Sequence, residues 1–351
     1  MKQLNYKQIF VVLALLLAVS LAASADEITR TVNESFTVSS EDHVEIVNKF
    51  GNVIIKKWNK DVFSLNIEIK AEGKNESKSQ QILDAIEIEI QDGRPAGGLS
   101  IETKIGQIKG NAGFSVDYEI MMPDKLPMKL HNSFGNIYLG SYSGDLEIVL
   151  KYGQLMAEDL ENASVRVDFA SSKCEIESLL RGNLDLRYSK MEIEDIGDID
   201  IKTQFSELQL ENGGQLHLEG RYGQFEFVNV KSLVGNIRFS ALEIENLDGF
   251  IELTSNHSDG IKLENVSRDF EKIDIDGQFS PVSIGMQDGA AAQLEFDLQF
   301  GNLRARGEGI TFSRVVNESS SSEYVGHLGR SGAAAWVKVK TKYGNIRFTA
   351  N

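Results

Sequence analysis

One position of a 17-residue repeat carries a row of carboxylates. Glu175, Glu192, Glu226 and Glu243 occupy it, with Gln209 standing in the middle of the row. If the repeat places these residues side by side, neighbouring charges ~5 Å apart repel by roughly 1 kcal/mol in water before salt screening. An exposed face tolerates that cost, so the row is either solvated surface or a stripe that attracts cations or a basic partner. Arg187, Gln204, Arg221 and Arg238 form a second row on the same period, and Tyr188, Phe205, Tyr222 and Phe239 form a third. Aromatic rows invite stacking, either on sugar rings or within a core. Parity groups Tyr188 with the apolar Leu184 and Leu186, so the rings are predicted to stack inward at a corner.

Other chemistries find little support. The chain has no G-x-S-x-G elbow, H-E-x-x-H helix, phosphate loop or G-G-x-G-x-D calcium repeat. The segment KIDIDGQFSPVS resembles a Ca2+ loop only superficially. Lys272 replaces its first acid and Ser283 its closing Glu, while Ile273 and Ile275 mark a strand. Ca2+ therefore stays a weak candidate at the acidic row, with no metal site and no cofactor expected. His43, His131, His217, His257 and His327 share no ligand spacing. A net charge of -16 argues against nucleic acid, which needs clustered Lys and Arg.

These rows require an element that repeats. Leu184, Leu186 and Tyr188 alternate with Asp185 and Arg187, the period-2 mark of a half-buried strand. After Ser189 the parity shifts to Met191 and Ile193, so a bend separates two strands in each unit. Stacked units align Met191, Leu208, Phe225 and Leu242 in one inward column and Ile193, Leu210, Phe227 and Ile244 in another. Seventeen residues are too few for a β-α-β crossover. The predicted fold is all-β, a right-handed parallel β-solenoid with roughly 17–21-residue coils, and a hairpin-built β-sandwich is its structural rival. Cys174, the only cysteine, falls in the column of Met191 as a buried small hydrophobe.

Residues 1–25 read as a signal peptide, with Lys2 and Lys7 before an apolar run and Ala23-Ser24-Ala25 as a cleavage site. The chain is thus expected to be exported to the periplasm, the cell surface or the medium, with no transmembrane segment after cleavage. Residues 26–122 are predicted as a less regular portion of the solenoid with a short helix around residues 79–85. Regular coils follow over 123–351, interrupted by a Ser-rich loop over 313–335. The part of that loop from Val315 to Ala335 is a second binding candidate.

Certain turn and core motifs carry a resemblance. Gly51-Asn52-Val53, the step from Pro123 to Met128, and Ser143-Gly144-Asp145-Leu146 lie in stretches that resemble the bacterial putative-adhesin family, β-solenoid domains of unknown function. The resemblance spans nearly the whole mature chain and implies adhesion without supplying catalytic residues. The expected function is a non-catalytic, adhesin-like surface for a cell-envelope protein or glycan. A β-helical polysaccharide lyase or hydrolase is the alternative, and it would need acids and a Lys or Arg converging in one cleft.

Overall fold

Apolar residues at every second position, interrupted by single small residues, produce strands joined by sharp corners through almost the whole chain. The computed structural model describes residues 26–94, 98–108 and 113–350. The leader read over residues 1–25 lies outside them.

The N-terminal end combines a first coil with its cap. Strand β1 (Asp26–Thr37) is followed by the first coil, β2 (Val44–Lys49) and β3 (Val53–Trp58), and then by β4 (Val62–Gly73). Helix α1 (Glu76–Asp84), β5 (Ile86–Asp92), β6 (Leu99–Ile105) and β7 (Gly113–Pro123) come next. β6 and β7 continue the parallel stack beside β2 and β3. Beyond them the pairing turns antiparallel, with β5 on β6, β4 on β7 and β1 on β4. The Asn75 side chain caps α1 by accepting the Lys78 N–H at 3.0 Å, and the helix buries Ile82 and Leu83. A solenoid without a cap exposes a complete strand edge, and this end closes part of it with reversed strands and a helix.

Coils then stack in order. They comprise β8 (Met128–Ser133), β9 (Ile137–Leu139), β10 (Tyr142–Lys151) and β11 (Leu155–Asp168), then the long strands β12 (Cys174–Arg187), β13 (Lys190–Gln204), β14 (Glu207–Arg221), β15 (Gln224–Arg238) and β16 (Ala241–Asn256). Each long strand bends in its middle, so its first arm joins one sheet and its second arm the other. Met191 pairs in parallel register with Leu208, Leu208 with Phe225, and Phe225 with Leu242, all four buried. The hairpin sandwich is therefore excluded for these coils. Cys174 lies in the same column, buried, with its thiol pKa pushed up by desolvation.

The C-terminal coils depart from chain order. After β17 (Gly260–Val266), β18 (Lys272–Gln278) and β19 (Val282–Met286), the coil of β20 (Ala292–Gln299) and β21 (Leu303–Arg306) skips one place. The last coil, β24 (Trp336–Lys342) and β25 (Ile346–Ala350), fills that place by pairing on both sides. Between them, β22 (Ile310–Asn317) and β23 (Ser321–Leu328) form an antiparallel hairpin, and β23 also pairs with β20. The Ser-rich loop expected over 313–335 is thus largely a capping hairpin. Its serines suggested a loop, but the open backbone edge of β20 offers hydrogen bonds that the composition does not reveal.

Leu208 touches no solvent. Leu208→Asp should lower stability by several kcal/mol, because a charge without a partner enters the column between the sheets. Thermal unfolding checks this: a large fall in Tm is expected, and an unchanged Tm would contradict the inward column.

Candidate functional site

The corner between the two arms has an unusual composition. Twelve non-glycine residues among those described have positive φ, all between 49° and 61°, and every one is an aromatic or histidine at a corner. Down the stack they run Phe50, Phe134, Tyr152, Phe169, Tyr188, Phe205, Tyr222, Phe239, His257, Phe279, Tyr343 and Phe300. Successive rings lie nearly parallel, with centroids 4.5–5.2 Å apart. Tyr188, Phe205, Tyr222 and Phe239 are therefore brought together, but on the outside, each 41–49% exposed. The inward placement is corrected. A left-handed residue breaks strand parity, so the buried series runs Leu184, Leu186, Ser189, Met191 while the Tyr188 ring emerges between them.

Backbone bonds carry the ladder through these corners. The N–H of each ring residue donates to the carbonyl that precedes the next ring: Tyr188 to Gln204, Phe205 to Arg221 and Tyr222 to Arg238, each at 3.0 Å. The following residue is small because the neighbouring backbone is close; a Cβ on Gly135 would lie 1.9 Å from the Gly51 carbonyl oxygen. Where serine replaces glycine, its hydroxyl completes the corner. Ser189 Oγ donates to the Arg187 carbonyl at 2.8 Å and accepts the Ala170 N–H at 3.2 Å. Ser240 repeats this with the Arg238 carbonyl and the Gly223 N–H. Because each interior ring covers its neighbours' faces, the ladder shows ring edges to solvent, and sugar stacking on ring faces has little room.

The opposite bend has a polar ladder of its own. Asn212 donates to Asp195, Asn229 to Asn212, Asn246 to Asn229 and Asn265 to Asn246, at 2.9–3.1 Å. This ladder fixes the register of the first arms, which bear the acidic row. Glu175, Glu192, Gln209, Glu226 and Glu243 follow one another in parallel register and point outward. The row is wider than expected: Glu194, Glu211, Glu245 and Glu264 line the same open groove of about 740 Å³ together with Glu192, Glu226 and Glu243. The second row lies two residues beyond the first on the same period, so its signal was present in the sequence.

Two lysines close the ends of this groove. Lys173 bridges Glu175 and Glu192, and Lys262 bridges Glu243 and Glu264, which raises both ammonium pKa values and lowers that of Glu264. Between them Glu194, Glu211, Glu226 and Glu245 have no cation within 4 Å among the described residues; Glu226 accepts from Gln209 at 2.9 Å. The other sheet differs. There charges of both signs are mixed, and some pair, as do Lys338 with Glu295, Lys272 with Glu252 and Arg187 with Asp185, while Lys202, Arg221 and Arg238 have no carboxylate within 4 Å among the described residues. Arg187, Gln204, Arg221 and Arg238 run in register on this second arm beside the ring ladder.

The remaining candidates lie apart from the acidic face. Val315 and Val316 are exposed on β22, an end strand of the C-terminal hairpin. No group of three or more His, Cys, Asp or Glu side chains among the described residues could hold a metal ion. No described helix is long and apolar enough to cross a membrane.

No protein-family profile matches the chain, and no curated protein does. Solved bacterial structures do. A protein from Clostridium sporogenes, described as a putative cell adhesion protein, is 10% identical over 92% of this chain and 100% of its own, with a TM-score of 0.19. Two described as putative adhesins come from Parabacteroides distasonis (12% identity, 72% of this chain and 93% of its own, TM-score 0.31) and Parabacteroides merdae (11% identity, 91% and 95%, TM-score 0.28). The likeness is loose throughout, and the descriptions are those of the neighbours.

Strain and stacking oppose each other at every ring. A left-handed L-residue costs roughly 1–2 kcal/mol, and an aromatic contact is worth about 0.5–1.5 kcal/mol. Phe205→Gly should lose the stack but relieve the backbone, whereas Phe205→Ala should lose the stack and keep the strain. Chemical denaturation should rank the wild type first, Gly second and Ala last, with about 1 kcal/mol between the variants. An Ala variant at least as stable as Gly would contradict the assignment.

Proposed function

We propose that the chain is an exported, non-catalytic, adhesin-like interaction module that docks positively charged groups of a cell-envelope protein or glycan along its acidic face. The observation that carries this reading is the contrast between the two sheets. One mixes charges of both signs and pairs several of them; the other carries two rows made mostly of glutamates, in which Glu194, Glu211, Glu226 and Glu245 have no cation within 4 Å among the described residues. Holding like charges ~4.8 Å apart on a rigid scaffold costs free energy that a cationic partner recovers. The same field also steers such a partner to the face. Repetition favours binding over catalysis, because hydrolysis or elimination needs an acid and a base in different environments, whereas these columns repeat one carboxylate environment.

The test replaces Glu175, Glu192, Glu226 and Glu243 together by Gln. These side chains point outward, so the unfolding midpoint should stay close to that of the wild type. Affinity for an immobilised envelope fraction, and for polylysine as a defined cationic probe, should fall by about tenfold or more at low salt. Equal binding by both proteins would return the face to plain solvated surface. Turnover of a glycan, abolished at a compact acid and base pair, would establish the lyase or hydrolase instead.

A further inference from the structure

The same sheet changes sign at its C-terminal end. Continuing the column of Glu243, the register passes Lys262 and Ser283 and reaches Arg347 and Arg304. Arg306 lies two residues beyond Arg304 on the same strand. All three arginines are exposed, and among the described residues none has a carboxylate within 4 Å or a side-chain hydrogen bond. Arg221 and Arg238 also lack a carboxylate partner, but Arg304 and Arg347 differ in facing an open groove with no carboxylate among its lining residues. Elsewhere the lysines of this sheet are held by glutamates, as Lys173 and Lys262 show. Arg304 and Arg347 line a second open groove of about 740 Å³, together with Lys262, Ser283, Asn302 and Asn345.

We propose that this groove binds an acidic polysaccharide through its anionic groups. The groove crosses four coils and so extends roughly 15 Å along the solenoid axis at the strand spacing. Arg347 and Arg304 are in register one strand apart, and each guanidinium can take a carboxylate or sulfate through two parallel N–H donors. Ser283, Asn302 and Asn345 add hydroxyl and amide groups of the kind that recognise sugar hydroxyls. Charge excludes a neutral polymer, and the hydroxyl and amide groups beside the arginines favour a sugar chain over an acidic peptide. The glutamates do not defeat this site. Lys262 pairs with Glu243 and Glu264, the next acids along this face, and no carboxylate is among the groove's lining residues. This inference concerns a different groove from the acidic face and survives if that proposal fails.

The test titrates the folded mature chain with polygalacturonate, dextran sulfate, neutral dextran and polyglutamate. The wild type should bind polygalacturonate or dextran sulfate, the comparison showing whether carboxylate or sulfate is the source, and should ignore dextran. Arg304→Gln with Arg347→Gln should weaken that binding by about tenfold or more, as expected for losing charge-assisted pairs. Lys202→Gln, a charge removed from the other sheet, should leave it unchanged. All variants are on exposed positions, and circular dichroism verifies their folding. The proposal is overturned if the wild type binds neither acidic polymer, if the double variant binds as well as the wild type, if Lys202→Gln weakens binding equally, or if polyglutamate binds more tightly than either polysaccharide.

Discussion

Everything in this molecule depends on a parallel backbone ladder that does not stop at the corners. In a flat sheet each strand ends where its hydrogen bonds end. Here the N–H of the corner residue still reaches the next coil, as Phe205 reaches Arg221 and Phe239 reaches Asn256. That continuity requires a left-handed backbone, which turns the side chain outward and brings the following residue against the neighbouring coil. The small residue after each ring, the exposed rings and the buried serine hydroxyls are consequences of that one constraint. Register propagates from it along both arms, and so does the spacing of every surface column.

Magnitudes decide what the aromatic ladder contributes. Each ring pays about 1–2 kcal/mol of backbone strain and recovers a similar amount from its neighbours' faces. The net gain is small, yet a coil slipped by one residue would lose its ring from the stack, expose a core column and break the corner bonds together. The ladder therefore acts mainly to specify register. At its N-terminal end the tilted Phe114 covers Phe50, with centroids 5.1 Å apart, whereas Phe300 at the other end is 57% exposed, more than any other Phe or Tyr ring of the ladder. The two ends are thus finished differently, as are the two sheets.

The coil and its inward columns were legible in the sequence because period-2 alternation and a fixed 17-residue interval are direct images of pleat and stacking. Met191, Leu208, Phe225 and Leu242 fall where the pattern puts them. Parity failed at Tyr188 for a specific reason: a left-handed residue consumes one position without alternating, and parity counting assumes that none does. The C-terminal coil order was hidden for another reason. Tyr343 and Phe300 show the same local grammar as their neighbours, and only pairing partners reveal that the later residue stacks first. Glu175, Glu192, Glu226 and Glu243 could be read as one row, but the structure sets Glu194, Glu211 and Glu245 beside that row in one groove. Charge columns were readable one at a time, while the difference between the two sheets needed both on one object.

The claim that the corners belong to the ladder is tested most directly by residue-resolved amide hydrogen exchange. Ordinary turn amides are open to water and exchange quickly; strand amides in a continuous ladder open only with their neighbours. The account predicts that the amides of Tyr188, Phe205, Tyr222 and Phe239 exchange as slowly as those of the adjoining strand residues Leu186, Thr203, Gly220 and Ile237. Rapid exchange confined to these four corner amides, with the strands on either side protected, would contradict it.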